Sequence, residues 1–369
     1  MPSANQGCVR CFLPPTFPGL SLDDEGVCTR CRELATEGAR QERERSRQQS
    51  RLPELQRIAD QIRAERQRTG SRYDCIIGAS GGLDSTYMVY VAKAVMGLEP
   101  LVVKYDNGFS HDVATRNLRE ACERLGVECR VIPPIPRERK YIEASVRGLE
   151  PLGVYFSACF SCHYTILSVV YQIARQENIS YTLTNTNEVE HSLSQASHGF
   201  MLMALVKGFV RSLPFKACRV AWYELVAAYH LFRLKLHFDG FSWRLIANQF
   251  RLHPRPPQFL KKVILTDHIA WDLVEIEKTL RRELGWRSPK NLKVPYLRFD
   301  CHFSGLIDKS FKNTTGICLH ALLLNHFVQT GDYTRDQLSR DFSYLDGDRR
   351  IDREVEIALA RLRRNGNGD

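Results

Sequence analysis

The stretch DCIIGASGGLDSTYMVYVAKAV, Asp74 to Val95, decides the fold. A short apolar run, Cys75-Ile76-Ile77, ends in Gly78-Ala79 and passes into Ser80-Gly81-Gly82-Leu83-Asp84-Ser85. Helical patterning follows and stops at Gly97. Strand, glycine loop and helix in that order make an anion cradle. The glycines permit positive φ and close backbone approach. Successive amide N–H groups then surround an anion at a helix N-terminus. Ser80 and Ser85 add hydroxyls, but the lysine that follows the GxxxxG of a Walker loop is absent. Asp84 would repel a phosphate unless a divalent cation lay between them. The loop therefore predicts a pyrophosphate group carried with Mg²⁺, not a bare phosphate.

The pattern continues outward. PLVVKYDNG from Pro100 reads as a second strand, and ATRNLREACERLGV as a helix closed by Gly126. ECRVIPP reads as a third strand, SCHYTILSVVYQIARQENI as a helix and SYTLTNTN as a further strand. Strands alternating with helices predict an α/β fold, a parallel sheet with crossover helices. Ligands of such sheets sit at the carboxyl ends of the strands. Residues 199–285 read as largely helical and aromatic, and 286–369 as a second polar motif region with a charged helical tail.

The chain has 369 residues and a net charge of +10, with a pI near 9.0. That balance suits an anionic partner: nucleic acid, nucleotide or phosphorylated substrate. The opening MPSANQGCVRCFLPP has no apolar core of a secretory signal, and Gly199 to Val210 is too short to span a bilayer and carries Lys207. A soluble, cytoplasmic protein without a membrane span is expected. Twelve cysteines then point to metal ligands, reactive thiols or core residues. Cys8-x2-Cys11, sixteen residues and Cys28-x2-Cys31 make a four-thiolate zinc spacing. Four unrelated thiols or two disulfides are the alternatives. These readings divide the chain into a zinc-ribbon-like module (1–34), a charged helical connector (35–72), a sheet domain that carries the glycine loop (73–200) and a mostly helical substrate or partner region (201–369). Leu55, Ile58, Ile62 and Ala64 give the connector's second half near-helical apolar spacing, and its arginines are read mainly as a solvated face.

SGGxDS after a first strand resembles the signature of the PP-loop ATP pyrophosphatases, the adenine nucleotide alpha hydrolases of HUP-like fold. The resemblance implies that ATP adenylates a substrate oxygen, pyrophosphate leaves, and a nucleophile displaces AMP. It implies a nucleotide site built from Ser80, Gly81, Gly82, Asp84, Ser85, Asp106 and Asn187, with Asp84 also catalytic. Thr184 to Glu190 is similar to the family's TGHNxDD-like segment at Asn187 and Glu190; Asn185, Thr186 and Val189 depart from it. Within the family, CVRCFLPPTFPGLSLDDEGVCTRC resembles the opening of bacterial N-acetyl sugar amidotransferases, as do Asp106-Asn107-Gly108-Phe109 and Cys159-Phe160-Ser161-Cys162-His163. That resemblance covers about residues 8–200 and implies conversion of a sugar acetamido group to an acetamidino group in surface polysaccharide assembly. The acceptor would be a nucleotide-linked sugar or another anion, and ammonia would come from glutaminase and channel subunits. The sulfur-inserting members of the superfamily, which thiolate tRNA or a small-molecule amide, are the alternative, with tRNA and a sulfur donor as partners.

Cys159 and Cys162 are the other expected catalytic residues. A helix N-terminus lowers thiol pKa. Cys159 is then read either as a thiolate or persulfide nucleophile, or with Cys162 as part of a metal or iron–sulfur site. Cys301 in RFDCHFSG is the candidate third thiol and Cys218 the second choice; plain packing of helix-start cysteines is the bland reading. Asp300 and His302 flank Cys301 and suggest substrate contact. His163 reads as a capping or solvent residue, with proton donor or ligand as the alternative; Lys104 and Arg116 read as surface charges, with phosphate contact as the alternative; and Asp308-Lys309 reads as a surface pair. His191 and His198 lack a nucleophile elbow, and Trp222 to Trp243 reads as core or a partner face.

Overall fold

Five parallel strands in the order β3-β2-β1-β4-β5 form the sheet: β1 (Cys75–Gly78), β2 (Pro100–Tyr105), β3 (Cys129–Ile132), β4 (Tyr181–Thr184) and β5 (Lys261–Ile264). The computed structural model describes residues 7–15, 17, 19–34, 52–150, 157–185, 214–240, 257–269, 271–288, 300–330, 334–336, 339 and 347–364. The chain builds β1, β2 and β3 outward, then crosses to β4 and β5 on the other side. The switch point therefore lies between β1 and β4, where Ile76 pairs with Thr182 and open sheets hold their ligands.

Both faces of the sheet are covered, which is why its strands read as apolar runs. Cys75, Ile77 and Val102 face one cluster; Ile76, Leu101 and Val103 face another. The first is closed by α2 (Leu52–Thr69), α3 (Leu83–Tyr90) and α4 (Asp112–Leu125), through Leu55, Ala59, Ile62, Met88, Val89 and Leu118. A π-helical turn over Val91–Val95 prolongs α3 to the stop at Gly97. The second face is closed by α6 (Ser157–Gln176), through Val169, Val170, Ile173 and Ala174. Each fully buried aliphatic side chain contributes roughly 1.5–3 kcal/mol.

Three sequence readings change. The connector's second half is more than a polar link: α2 buries Leu55, Ala59 and Ile62 against the sheet, while Ala64 is exposed and Arg57 and Arg68 keep a solvated face. A helix unforeseen by the pattern, α5 (Pro136–Leu149), stands between β3 and α6. It packs against α7 (Pro214–Asp239), close enough that a Cβ on Gly148 would sit 3.1 Å from Tyr223 Cβ. The sheet also continues past residue 200, because Lys261–Ile264 supplies β5 from a stretch read as largely helical. Its four residues lie at an edge that lysines blunt, so no alternating apolar pattern marks it. No helix among the described residues is long and apolar enough to cross a membrane. Along α7, Trp222, Leu225 and Tyr229 are exposed, whereas Ala227 and Leu234 are buried.

The remaining helices are α8 (Leu273–Leu284), α9 (Phe303–Thr315), α10 (Leu319–Thr330) and α11 (Asp348–Arg364). The amino-terminal module, including the short α1 (Thr29–Leu34), packs on α9, α10 and α11; Leu13, Phe17 and Val27 meet Phe311, Ile317, Leu322 and Ile351. Asp308 is not a surface residue. It is fully buried and accepts hydrogen bonds from His320 Nδ1 and from Arg350 at 2.5 Å. Burial opposes its ionisation, but His320 and Arg350 together hold its carboxyl below the usual range. Lys309 pairs separately with Asp352 at 2.8 Å. Asp308→Ala leaves Arg350 buried without its carboxylate and should destabilise the protein by about 3–5 kcal/mol. Denaturant unfolding at neutral pH measures this; Lys309→Ala, at the surface, should cost under about 1 kcal/mol.

Candidate active site

Gly81 turns the chain at φ +94°, and a Cβ there would lie 1.9 Å from the Ala114 carbonyl oxygen of α4. Only glycine fits. Gly82 then precedes α3 in extended conformation. The amides of Ser80 and Gly81 both donate to Ser85 Oγ, at 3.2 and 3.1 Å, and the Gly82 amide donates to Ser80 Oγ at 3.3 Å. Thr86 closes the first turn on the Gly82 carbonyl at 2.7 Å. The Ser80 and Gly81 amides thus converge on Ser85 Oγ, and the Gly82 amide meets Ser80 Oγ 3.1 Å from it, at the carboxyl end of β1. The glycine loop thus sits at the carboxyl end of a central strand of an open parallel sheet, where the sequence resemblance leads one to expect it.

A lysine from β2 reaches the loop from below. Lys104 is 2% exposed, and its Nζ donates to the Ser80 carbonyl at 2.8 Å. It is therefore no surface charge. Burial lowers its pKa, and Asp300 and Asp106 oppose that shift. Asp84, in the first turn of α3, accepts a hydrogen bond from Trp271 Nε1 at 2.6 Å. Trp271 also sets its ring edge on Tyr87, with centroids 5.1 Å apart. Nothing in the sequence singled out Trp271.

Asp106-Asn107-Gly108 turns the chain after β2, with Asp106 Oδ1 accepting from the Gly108 amide at 2.9 Å. The following residues pair with the distant segment Asp300–His302. His111 N donates to the Asp300 carbonyl at 3.0 Å, and His302 N to the Phe109 carbonyl at 2.9 Å, across an antiparallel Ser110–Cys301 bridge. Asp300 comes to the glycine loop, so that a Cβ on Gly82 would lie 3.6 Å from its Cβ.

Asn107 joins the thiols. Its Nδ2 lies 3.3 Å from Cys162 Sγ and 3.6 Å from Cys301 Sγ. Cys301, not the exposed Cys218, is therefore the thiol beside Cys162. Cys159 packs in the same cluster as Cys301. Among the described residues the three sulfurs are not a closed ligand set, because they do not all lie within 4.8 Å of one another. The expected nucleophile is Cys159; Cys162 is held as a neutral thiol. Burial pushes its pKa well up, and also raises Cys301 to about 11. Cys162 is the sixth residue of α6, half-buried and past the first turn where the helix dipole acts.

Glu138, on the first turn of α5, was also unforeseen. It is 1% exposed, hydrogen-bonded to the Tyr105 hydroxyl, and raised by burial to about 7. A carboxyl group poised there exchanges protons near neutrality, as an acid–base group must. Arg116 lies on an exposed turn of α4 and lines a cleft of about 440 Å³ with Arg119, Arg361, Asp106, Ser110 and Asp112. Three arginines there favour an anion. His163 is exposed on α6. Asn187, Glu190, His191 and His198 lie outside the described residues.

The amino-terminal cysteines form a separate site. Cys8 and Cys31 sulfurs are 3.8 Å apart, as are those of Cys11 and Cys28, and all four side chains are buried. Zn–S bonds of about 2.3 Å in a tetrahedron give S–S edges of about 3.8 Å, whereas a disulfide needs about 2.05 Å. The set therefore fits one tetrahedral metal ion and excludes the paired-disulfide alternative.

No protein-family model matches the chain, and no curated protein sequence does. Among solved structures it is similar to NMN synthetase from Francisella tularensis, at 18% identity and TM-score 0.30, over 38% of this chain and 56% of that one. The chain thus spans a little over half the length of that protein. It is also similar to the tRNA thiolase NcsA of Methanococcus maripaludis with its 4Fe–4S cluster, at 16% identity and TM-score 0.31, over 79% and 81% of the two chains. A third is the NH3-dependent NAD synthetase of Campylobacter jejuni in complex with nitrate, at 14% identity and TM-score 0.32, over 66% and 99%. At such scores the backbones superpose loosely.

Gly81→Ala forces a Cβ into α4 backbone at a positive φ, and should destabilise the protein by about 3 kcal/mol. Gly82→Ala, whose Cβ would meet nothing nearer than 3.5 Å, should leave stability within about 1 kcal/mol. Parallel urea unfolding of the two variants checks the contrast.

Proposed function

We propose that this chain is an ATP-dependent PP-loop transferase that adenylates an amide or carbonyl oxygen of an anionic acceptor and replaces that oxygen with nitrogen. The observation that carries the reading is the glycine loop at the end of β1, its amides converging at the start of α3 with Asp84 in the first turn and Lys104 beneath. The acceptor oxygen attacks the α-phosphorus of ATP, and the bond to pyrophosphate breaks. Ammonia then attacks the activated carbon, loses a proton, and AMP departs with the oxygen. An amide oxygen is a poor leaving group until it carries a phosphoryl group, so activation must come first.

The residues divide this work. Ser80, Gly81, Gly82 and Ser85 hold the phosphates through amides and hydroxyls. Mg²⁺ at Asp84 would offset the charge of the departing pyrophosphate. Trp271 orients the Asp84 carboxylate. Lys104 braces the loop through Ser80. Glu138 is the candidate proton acceptor for the attacking nucleophile. The arginine-lined cleft suits the acceptor's phosphates, in keeping with a nucleotide-linked N-acetyl sugar and with glutaminase-derived ammonia as nitrogen source. Residues 1–34 are read as a structural zinc module, because four thiolates leave the ion no open position.

A second reading draws support from Asn107, which brings Cys162 and Cys301 together. In it, the cysteines carry sulfur or an iron–sulfur cluster, and the acceptor is thiolated. Incubation with ATP and a UDP-N-acetyl sugar, with ammonia or with sulfide, separates the two by product mass. Cys162→Ser keeps amidation and loses thiolation if the thiols serve sulfur alone.

Asp84→Ala should lower ATP-to-AMP turnover by roughly 100-fold or more while leaving the melting temperature within a few degrees. Pyrophosphate release at the wild-type rate would refute the loop's assignment. Cys8→Ser should lose one equivalent of zinc and melt earlier; a wild-type protein purified without any zinc would refute the module's assignment.

A further inference from the structure

His111, His302 and Glu354 come from three separate parts of the chain: the loop entering α4, the residue before α9, and the middle of α11. Their ligand atoms all lie within 4.8 Å of one another. The two imidazoles stack with centroids 3.5 Å apart and planes tilted by 37°. Both aim at one carboxylate oxygen: His302 Nδ1 lies 3.2 Å and His111 Nε2 3.7 Å from Glu354 Oε2.

The backbone is built to bring them there. Hydrogen bonds on either side of the Ser110–Cys301 bridge fix the two histidines in register. Gly305 admits α11, since a Cβ there would sit 2.3 Å from Glu354 Cβ. A larger residue would push Glu354 away. His302 is 6% exposed, and roughly a fifth of the His111 and Glu354 side chains is accessible, enough for an ion to enter.

We infer that His111, His302 and Glu354 bind a zinc-class divalent transition ion, distinct both from the four-cysteine site and from any Mg²⁺ carried by ATP. One hydrogen bond, at 3.2 Å, accounts for the approach of His302, whereas His111 at 3.7 Å lies beyond hydrogen-bond range. Metal–ligand bonds of about 2.0–2.2 Å give tetrahedral edges of about 3.3–3.5 Å, and the two observed separations bracket that value. Two imidazoles and a carboxylate suit zinc and its neighbours, whereas Mg²⁺ prefers oxygen ligands alone. Three protein ligands leave a fourth position for water or an anion, as in reactive zinc sites. Ser110 and Asp112, the neighbours of His111, line the arginine cleft, so the ion would border the place where an anionic molecule fits. The inference stands whichever atom the enzyme transfers.

The test is Co²⁺ titration of the full-length chain, reduced and stripped of metal. The first equivalent fills the four cysteines and gives a strong near-ultraviolet thiolate charge-transfer band. The expected second equivalent adds weak visible bands without further thiolate absorption. His111→Gln should weaken the second equivalent by roughly 100-fold or more, with an unchanged melting temperature, since one of the three ligands to the ion is lost. Glu354→Gln should do the same, and Cys162→Ser should leave it intact. Saturation of the wild type at one equivalent would overturn the site. So would a second equivalent that survives His111→Gln or that shows thiolate absorption. If Glu354→Gln fails to fold, the wild-type stoichiometry and His111→Gln still decide.

Discussion

The whole site hangs on one short antiparallel contact, the pairing of residues 109–111 with 300–302. Two backbone hydrogen bonds there attach the carboxyl-terminal helices to the loop that leaves β2. The pairing sets Asp300 against Gly82, Cys301 beside Cys162 through Asn107, and His302 over His111. The sheet alone would present only a phosphate cradle. The contact turns that cradle into a walled site with thiols, a carboxylate and imidazoles at its rim.

What was legible in the sequence was local. Strand, SGGLDS and helix follow one another within 22 residues, and sterics and amide geometry determine what such a loop can do. The paired cysteines were legible for the same reason. What escaped depends on contacts between distant segments. Lys104 looked like a surface charge, yet it lies in a strand buried on both faces, and PLVVKY contained that hint. Asp308 looked like half of a surface pair until His320 and Arg350 closed on it. Glu138, Trp271 and Glu354 carry no local pattern, since their roles arise from what α5, the segment before α8, and α11 pack against. The choice of Cys301 as third thiol came from a motif-like run, and the structure places it beside Cys162.

Burial sets the electrostatic character of the site. Water is scarce around Glu138, Cys162, Cys301 and Lys104, and in each case the neutral form gains. Charge that arrives with a ligand therefore meets little competing solvent, and fixed donors act more strongly on it than they would in water. At the rim the arginine cleft keeps its charge exposed, where it can attract an anion from a distance.

The packing of the amino-terminal module has a consequence for how the chain assembles. Leu13, Phe17 and Val27 are made about 280–340 residues before Phe311, Ile317, Leu322 and Ile351, the residues that cover them. Synthesis proceeds at about 5–20 residues per second, so this apolar face waits tens of seconds or longer for its cover. An ion held early by the four cysteines would keep the face folded during that wait. It would act as a placeholder for a core that the chain completes only at its far end.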